Sequence, residues 1–534
     1  MSTHVTLEGS RRFHQADARI LGRADAHALC EVTVRLRRAR PLPDPSTLGG
    51  ATLSHADLAT TYAAGEADMA LTGEVLENAG LRLLRADASA CLMRFRGPAA
   101  AMEAVFGVHL LRARRGDEIY RARVGVIHIP KELDGIVIGV FGLDTRPMGR
   151  RSRSPTFHDV PQATAGASDW FFPADLARIY NFPPGDGTGQ TIGLIEFGGA
   201  YHAPDLTQFL ALANIATEPR IETVQVESPT PDDPDAATGE LMLDIEVIAG
   251  LCPAATIRIY FTNFTEQGWV EAMAAVVNDA DQQFAAIAVC TGTTEGQLSW
   301  TSQAMCAVDD SLKAAANLGI TICVASGDSG SSDGLLDGQA HVDFPASSPN
   351  VLAVGGTTLT LVGGARQEVA WMQGSGIEND GANGGSSGGG VSMTFPRPNW
   401  QSVLVASVNP QAFDGRCVPD VAANAATSPG YAWVNAGVAK ANGGTSAAAP
   451  LWAAFIARLS AARGPGRRVG FLTPLLYQAT ANTGGAPLGQ VACNDVVSGN
   501  NNTAAAGGYA AGVGYDAVTG WGSPDGARFL QSLP

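Results

Sequence analysis

The chain has 534 residues, 35 Lys+Arg against 51 Asp+Glu, a formal net charge of −16 and 45% hydrophobic residues. That length predicts two or three domains with sizeable cores, and the acidic balance offers no footing for a nucleic-acid partner. GIVIGVFGL, 135–143, is the longest apolar run outside one helix discussed below, far short of the ~20 residues that cross a bilayer, so no membrane span is expected. The first twenty residues, MSTHVTLEGSRRFHQADARI, show no apolar core of a Sec signal. Eight cysteines (Cys30, Cys91, Cys252, Cys290, Cys306, Cys323, Cys417, Cys493) form no Cys-x-x-Cys pair and read as buried thiols.

Charge divides the chain. Residues 1–157 carry about 22 Lys+Arg against about 17 Asp+Glu, leaving about 13 against about 34 for the remainder. A basic N-terminal part would complement an acidic C-terminal one. In EVTVRLR, 31–37, Val32, Val34 and Leu36 alternate with Glu31, Thr33 and Arg35, as in a half-buried strand. ACLMRFRG, 90–97, reads as a second strand and PAAAMEAVFGV, 98–108, as a helix. A small α+β domain without catalytic residues is expected over 1–145. The stretch 146–168, RPMGRRSRSPTFHDVPQATAGAS, has no apolar period and reads as an exposed linker, with Arg150, Arg151 and Arg153 as cleavage points.

From 169 to 534 short apolar runs alternate with helical stretches: TIGLIEF (191–197), IRIYF (257–261), AAIAVC (285–290), TICVAS (321–326) and VLAVGG (351–356). This predicts an α/β domain with a mainly parallel sheet flanked by helices. Sites in such folds collect at strand C-terminal ends and helix N-termini. GGTSAAAPLWAAFIARL, 443–459, places Ser446 after two glycines, and Leu451, Phe455 and Leu459 mark a buried helix stripe. Ser446 is therefore expected at a helix N-terminus, with Pro450 in the first turn. This is how a subtilisin-type protease presents its nucleophile, but such an enzyme also needs a base.

Only His158, His202 and His341 follow residue 145, none in a His-Gly-Thr context, so a histidine triad is not expected. GELMLDIEVIAG, 239–250, instead puts Glu240 and Asp244 on one face of an apolar helix. Two desolvated carboxylates repel, raising at least one apparent pKa; the alternative is a solvated acidic face with Glu246 as a third member. In VASGDSGSSDG, 324–334, Asp328 ends an apolar strand, where a protonated carboxyl can donate a hydrogen bond to an oxyanion. Gly-Asp-Ser-Gly also imitates a chymotrypsin-type loop around Ser329, but the α/β pattern argues against that fold. An α/β-hydrolase would need Gly-x-Ser-x-Gly around its nucleophile and a later histidine, and no histidine follows Ser446.

With Ser446, Glu240, Asp244 and Asp328, together with VFGLDTRP (140–147), IEFGGAY (195–201), HVDFPASSP (341–349), GGSSGGGVS (384–392) and AGVGYDAVTGWGSP (511–524), the chain resembles the sedolisins, or serine-carboxyl peptidases. The resemblance implies a subtilisin-like catalytic domain preceded by a ferredoxin-like activation prodomain that serves as intramolecular inhibitor and chaperone. It implies Ser446 as nucleophile, Glu240 as general base, Asp244 as its orienting partner and Asp328 in the oxyanion hole. Glu196 matches a glutamate that extends the carboxylate network in kumamolisin-like members. Those members close the network with a tryptophan where Thr291 stands here, which predicts a shorter network or a substitute role for Trp300.

The resemblance further assigns one Ca²⁺ to the side chains of Asp495 and Asp516 and the carbonyls of Val496, Gly512 and Gly514. On the residues alone, these stretches read as turns or as an all-oxygen cation site. Gly388, Gly389 and Gly390 would border the substrate cleft, where extended backbone pairs with a peptide, and Asp343 would line a pocket or serve structurally. The expected protein is an acid-active endopeptidase made as a zymogen, monomeric, acting on proteins or peptides and extracellular by resemblance. A tripeptidyl peptidase or a non-catalytic peptide-binding relative are the alternatives.

Overall fold

The computed structural model describes residues 3–15, 17–148, 158–159, 170–227, 234–296, 299–378, 384–410 and 413–534. In the N-terminal body, β1 (Leu29–Leu36), α1 (Glu66–Asn78), β2 (Arg82–Asp87), β3 (Leu92–Pro98), α2 (Ala99–Phe106) and β4 (Val137–Phe141) form a β-α-β-β-α-β unit. The strand order is β2-β3-β1-β4, antiparallel throughout, which is the ferredoxin-like arrangement. The alternation in β1 explains its two faces. Val32, Val34 and Leu36 meet Met93, Phe95, Met102 and Phe106 in one cluster, whereas Thr33 and Arg35 point away and are nonetheless buried, because the second body covers them.

The second body holds β5 (Thr191–Phe197), β6 (Arg220–Gln225), α3 (Pro234–Leu251), β7 (Thr256–Thr262), α4 (Glu266–Val277), β8 (Phe284–Val289), α5 (Ser302–Asn317), β9 (Thr321–Ala325), β10 (Leu352–Val362), β11 (Ala365–Ala370), β12 (Val421–Asn424) and α6 (Thr445–Arg463). Its eight-stranded sheet runs β6-β7-β5-β8-β9-β10-β11, with β12 also on β10; every pairing is parallel except β10 with β11. Successive residues serve opposite faces. Ala286, Ala288, Cys323 and Ala325 pack with Leu241, Ile245, Ala449 and Phe455 of α3 and α6, whereas Ile287, Val289, Ile322 and Val324 pack with Val276, Val308 and Leu312 of α4 and α5. Small residues on the first face let α6 lie close over the strands.

The two bodies meet at α4 and α5, and the charge division is visible there as ion pairs. Arg12 reaches Glu266 at 3.3 Å, Arg38 reaches Asp310 at 2.7 Å, and Arg94 reaches Glu271 at 2.7 Å. Arg35 shares Asp310, and Thr33 donates to Glu271. Gln303 clamps the edge strand β4 through both the N–H and the C=O of Val140. Phe141, Leu92 and Leu58 join the same apolar cluster as α4 and α5, so hydrophobic burial adds to charge in holding the bodies together.

The linker begins later than the sequence pattern indicated. Arg146 is buried, pairs with Asp144 at 2.7 Å and donates to the carbonyls of Phe13 and Arg123, while Met148 N–H reaches Phe264 O. An arginine rich in local partners looks like a linker residue in composition and is not one. Arg150, Arg151 and Arg153 lie outside the described residues. His158–Asp159 pairs antiparallel with Val438–Asn442, and Trp170–Phe171 pairs with Gly430–Asn435, so these two short strands form the opposite edges of one four-stranded sheet. Strand Val438–Asn442 runs straight into Gly443, Gly444, Thr445 and Ser446.

All eight cysteines are unpaired, and all but Cys306 are buried, in line with the sequence reading. Among the described residues no helix is long and apolar enough to cross a membrane.

Candidate active site

Ser446 is the second residue of α6, so the expected helix N-terminus is present. Pro450 differs from expectation: because the helix opens at Thr445, it falls beyond the first turn. Its missing N–H leaves the Ser446 carbonyl without the usual helical donor. Gly444 caps the helix at φ 104°, and a Cβ there would lie 2.6 Å from Asp328 Oδ2. Glycine is thus required both by the backbone and by the approach of Asp328.

Four carboxyls from three elements surround the serine. Ser446 Oγ donates to Cys290 O at 3.0 Å and lies beside the Glu240 carboxyl, which its hydrogen bond favours in the ionised form. Burial pushes Glu240 up to about 7, and the negative charge of Glu378 adds to that. Asp244, one turn further along α3, is 0% exposed. Burial and then the neighbouring Glu196 and Glu240 hold its pKa well above the usual carboxylate range. Glu196, at the end of β5, is raised by burial first and by Glu240 second, and faces Asp244. Two acidic side chains so placed with no cation share a proton.

The solvated-face alternative for α3 does not hold. Glu246 is buried, accepts from Val434 N–H at 2.6 Å, and burial raises it to about 10. From Leu241 to Leu251 α3 is buried throughout, which is why the carboxyls there need partners or protons.

Asp328 stands in the loop that follows β9, across the cleft. Its Oδ1 accepts from both the N–H and the Oγ–H of Thr445, each at 2.7 Å. Burial and Glu378 raise its pKa, so the carboxyl keeps a proton well above the ordinary range. With Oδ1 occupied by two donors, the proton belongs on Oδ2, the oxygen facing Gly444. The Gly/Ser loop supports this placement: Ser386 N–H donates to Asp328 O at 3.0 Å, Gly388 N–H to Gly327 O at 2.8 Å, and Ser326 Oγ to Gly388 O at 2.7 Å. Gly388 therefore spends both backbone groups inside the protein. Gly389 O accepts from Asn501, and Gly390 opens a strand paired with Val418. These glycines buttress the Asp328 loop rather than offering a free edge to a peptide.

Asp343 is 7% exposed and packs behind Gly327, where a Cβ would lie 2.8 Å from its Oδ2. It shares a hydrogen bond with Asp333, and burial followed by the Asp333 charge keeps it protonated far above the usual range. A neutral, enclosed carboxyl gives little preference for a basic side chain. Ser329, the chymotrypsin-like decoy, accepts from Glu378 N–H with its Oγ.

Trp300 does not replace the family tryptophan. Its Nε1 donates to Thr293 O at 3.4 Å, and its ring packs on Trp269 and Phe344. Glu196 Oε1 is left buried without a partner, so the network ends there. Two neighbours escaped the sequence reading. The Cys290 thiol lies beside Asp244 with no donor aligned on the carboxyl, and Glu378 reaches the cleft from a glycine-rich loop. Cys290 looked like a core thiol at a strand end; Glu378 sits in GSGIEND, which carries no periodic signal.

In the C-terminal region Asp495 and Asp516 close on the same short loop. Asp495 Oδ2 accepts from Gly514 N–H at 2.9 Å and Asp516 Oδ2 from Gly512 N–H at 3.0 Å. Among the described residues no group of three or more His, Cys, Asp or Glu side chains is assembled for a metal. The Gly512 and Gly514 N–H groups face these carboxylates, and a donor set of two carboxylates with no thiol suits a hard, oxygen-seeking cation and not a thiophilic one.

The fold, a parallel sheet with a serine at the N-terminus of a buried helix, is that of the subtilisin-type peptidases. The Subtilase family matches residues 188–484, and the pro-kumamolisin activation domain matches 43–146. Kumamolisin of Bacillus sp. (strain MN-32) is 40% identical over 489 residues, covering 89% of this chain and 84% of its own. Tripeptidyl-peptidase sed5 of Aspergillus fumigatus is 29% identical over 535 residues, covering 90% and 87%. Pseudomonas sedolisin, solved with two molecules of pseudo-iodotyrostatin, aligns at 31% identity and a TM-score of 0.58 over 68% of this chain and 98% of its own. The chain belongs to the sedolisin family of serine peptidases, and its N-terminal body is an activation prodomain.

Proposed function

We propose that this sedolisin is an acid-active endopeptidase that matures by cutting its own linker. The reading rests on one observation: the Glu240 carboxyl lies beside Ser446 Oγ, and Asp328 packs on Gly444 and Thr445 immediately before that serine. Ser446 Oγ attacks the scissile carbonyl while Glu240 takes its proton. Asp244, one helical turn from Glu240 and facing Glu196, would orient the Glu240 carboxyl through a shared proton, and the Asp328 hydroxyl on Oδ2 donates to the oxyanion as it forms. Glu240 then returns the proton to the leaving amine, and water repeats the cycle on the acyl-enzyme. The competing reading, a tripeptidyl peptidase, is supported by the similarity to Tripeptidyl-peptidase sed5. A mass-spectrometric map of a protein digest at about pH 4, near the reference carboxyl value, distinguishes them. Internal cuts are expected; successive tripeptides from the N-terminus alone would reverse the assignment.

Working protonation requires Glu240 ionised and Asp328 protonated, which gives a bell-shaped kcat/KM profile whose acid limb belongs to the first and alkaline limb to the second. Glu378 raises both groups, so Glu378→Gln is expected to move both limbs to lower pH. Both side chains are half-buried at the cleft wall, where water limits how far the profile stands above ordinary carboxyl values. Limbs that stay in place or move upward would remove Glu378 from the site's electrostatics.

Asp495 and Asp516, with the carbonyls of Val496, Gly512 and Gly514, are the residues that would hold Ca²⁺. The ion would tie the two C-terminal loops together without taking part in the chemistry. A ligand bound only by the native state raises stability, so a chelator is expected to lower the Tm, and restored calcium to recover it. An unchanged melting curve, with elemental analysis showing no calcium, would contradict this site. By the same family reading the protein acts outside the cell as a monomer on protein and peptide substrates, and sedimentation of the mature chain at the mass of a dimer would overturn the monomer.

A further inference from the structure

The seam between the prodomain and α5 contains a cavity of about 1040 Å³, lined from both sides. The prodomain contributes Arg11, Arg35, Arg37 and Arg38; α5 contributes Cys306, Asp310 and Lys313. Five cations therefore face two carboxylates, Glu8 and Asp310. Asp310 already serves two guanidiniums, those of Arg35 and Arg38. Arg37 is held by Asp68, and among the described residues no carboxylate pairs with Arg11 or Lys313. Arg35 is 3% exposed at the cavity wall, and its Nη1 has no partner. A guanidinium buried with an unsatisfied N–H costs free energy that a bound acceptor would recover.

We propose that this cavity is an oxyanion site, taking a divalent tetrahedral anion of the sulfate or phosphate class, and that the anion holds the zymogen closed. Planar guanidiniums recognise tetrahedral oxyanions through charge-assisted hydrogen bonds. The ligand would accept from Arg35 Nη1 and reach Arg11 on one body and Lys313 on the other, so the site exists only while the bodies are docked. Binding to the docked state alone stabilises that state by mass action and slows its opening. Asp310 is already committed to Arg35 and Arg38, so Glu8 alone among the acidic lining residues is left to offset Arg11 and Lys313 from within, and the cavity keeps an excess of positive charge.

Inorganic sulfate is the probe, since it stays divalent at neutral and acidic pH. Calorimetry on the full-length Ser446→Ala protein, with ionic strength fixed by chloride, is expected to show saturable binding of one sulfate. Arg11→Gln combined with Lys313→Gln should weaken that binding at least tenfold; Arg11 is exposed, and a melting curve matching the parent shows that the double variant keeps the fold. On acidification, saturating sulfate should slow linker cleavage of the wild type severalfold and leave the double variant unaffected, which separates site binding from general salt exclusion. The absence of saturable binding, or equal binding to the double variant, would overturn the proposal. Calorimetry needs no turnover, so failure of the zymogen reading would appear as absent cleavage while the binding result stood by itself.

Discussion

Ser446→Ala is expected to abolish peptide hydrolysis, with kcat/KM falling on the order of 10⁶-fold, and Glu240→Ala by about as much, because nucleophile and base act as a unit. Asp244→Ala should cost about 10⁴-fold through loss of Glu240 orientation, and Asp328→Ala about 10²–10³-fold through loss of one oxyanion donor. The ordering follows from geometry. Glu240 lies beside Ser446 Oγ, Asp244 is a helical turn behind it, and Asp328 addresses only charge that develops during attack. Initial rates on a peptide substrate across pH 3–7, a window spanning the reference carboxyl values, check the series. Full activity of Glu240→Ala at any pH in that window would show that another group deprotonates the serine.

Acidification of the full-length wild type is expected to produce a shorter chain, cut between Gly149 and Ser168, while Ser446→Ala stays intact. The linker's His158–Asp159 pairs with the strand that leads into Ser446, which puts these two residues a few positions from the nucleophile's loop. Across the seam Glu266 holds Arg12, and Asp310 holds both Arg35 and Arg38. Two other interface carboxyls carry the pH dependence. Glu227 is raised to about 7 and Glu271 is raised as well, in both cases by burial first. A group whose pKa is higher in the docked state takes up protons on docking, so its contribution favours docking at low pH and is lost as pH rises through about 7. Glu227→Gln, which imitates the protonated form, should therefore leave the prodomain in place at neutral pH. Asp310→Asn leaves two guanidiniums facing each other and should accelerate processing about tenfold or more. N-terminal sequencing and gel analysis of timed samples read both effects.

The parallel sheet was legible because its strands are buried on both faces and so read as unbroken apolar runs. β2 was not: RLLRAD alternates poorly and lies at a sheet edge, where little burial constrains it. α1 was missed for a related reason, since EADMALTGEVLEN buries only Thr72, Gly73 and Leu76. In the site, Ser446, Glu240 and Asp244 could be named because a helix imposes spacing on its side chains. Glu378 and Cys290 could not, since their approach depends on loop path and on the register of β8 against α3. The inward turn of Gly388 and the protonated pairing of Asp343 with Asp333 are likewise tertiary facts that composition hides. Arg146 shows the converse, a residue typed as linker by its neighbours and fixed by Asp144.

The central claim, that Glu240 is the base for Ser446, is tested most directly by a double-mutant cycle in kcat/KM on the mature enzyme at its optimum pH. If the two residues act in one proton transfer, Ser446→Ala with Glu240→Ala should be no slower than Ser446→Ala alone, because the base has nothing left to activate. Losses that multiply, or a Glu240→Ala enzyme as fast as the wild type, would contradict it.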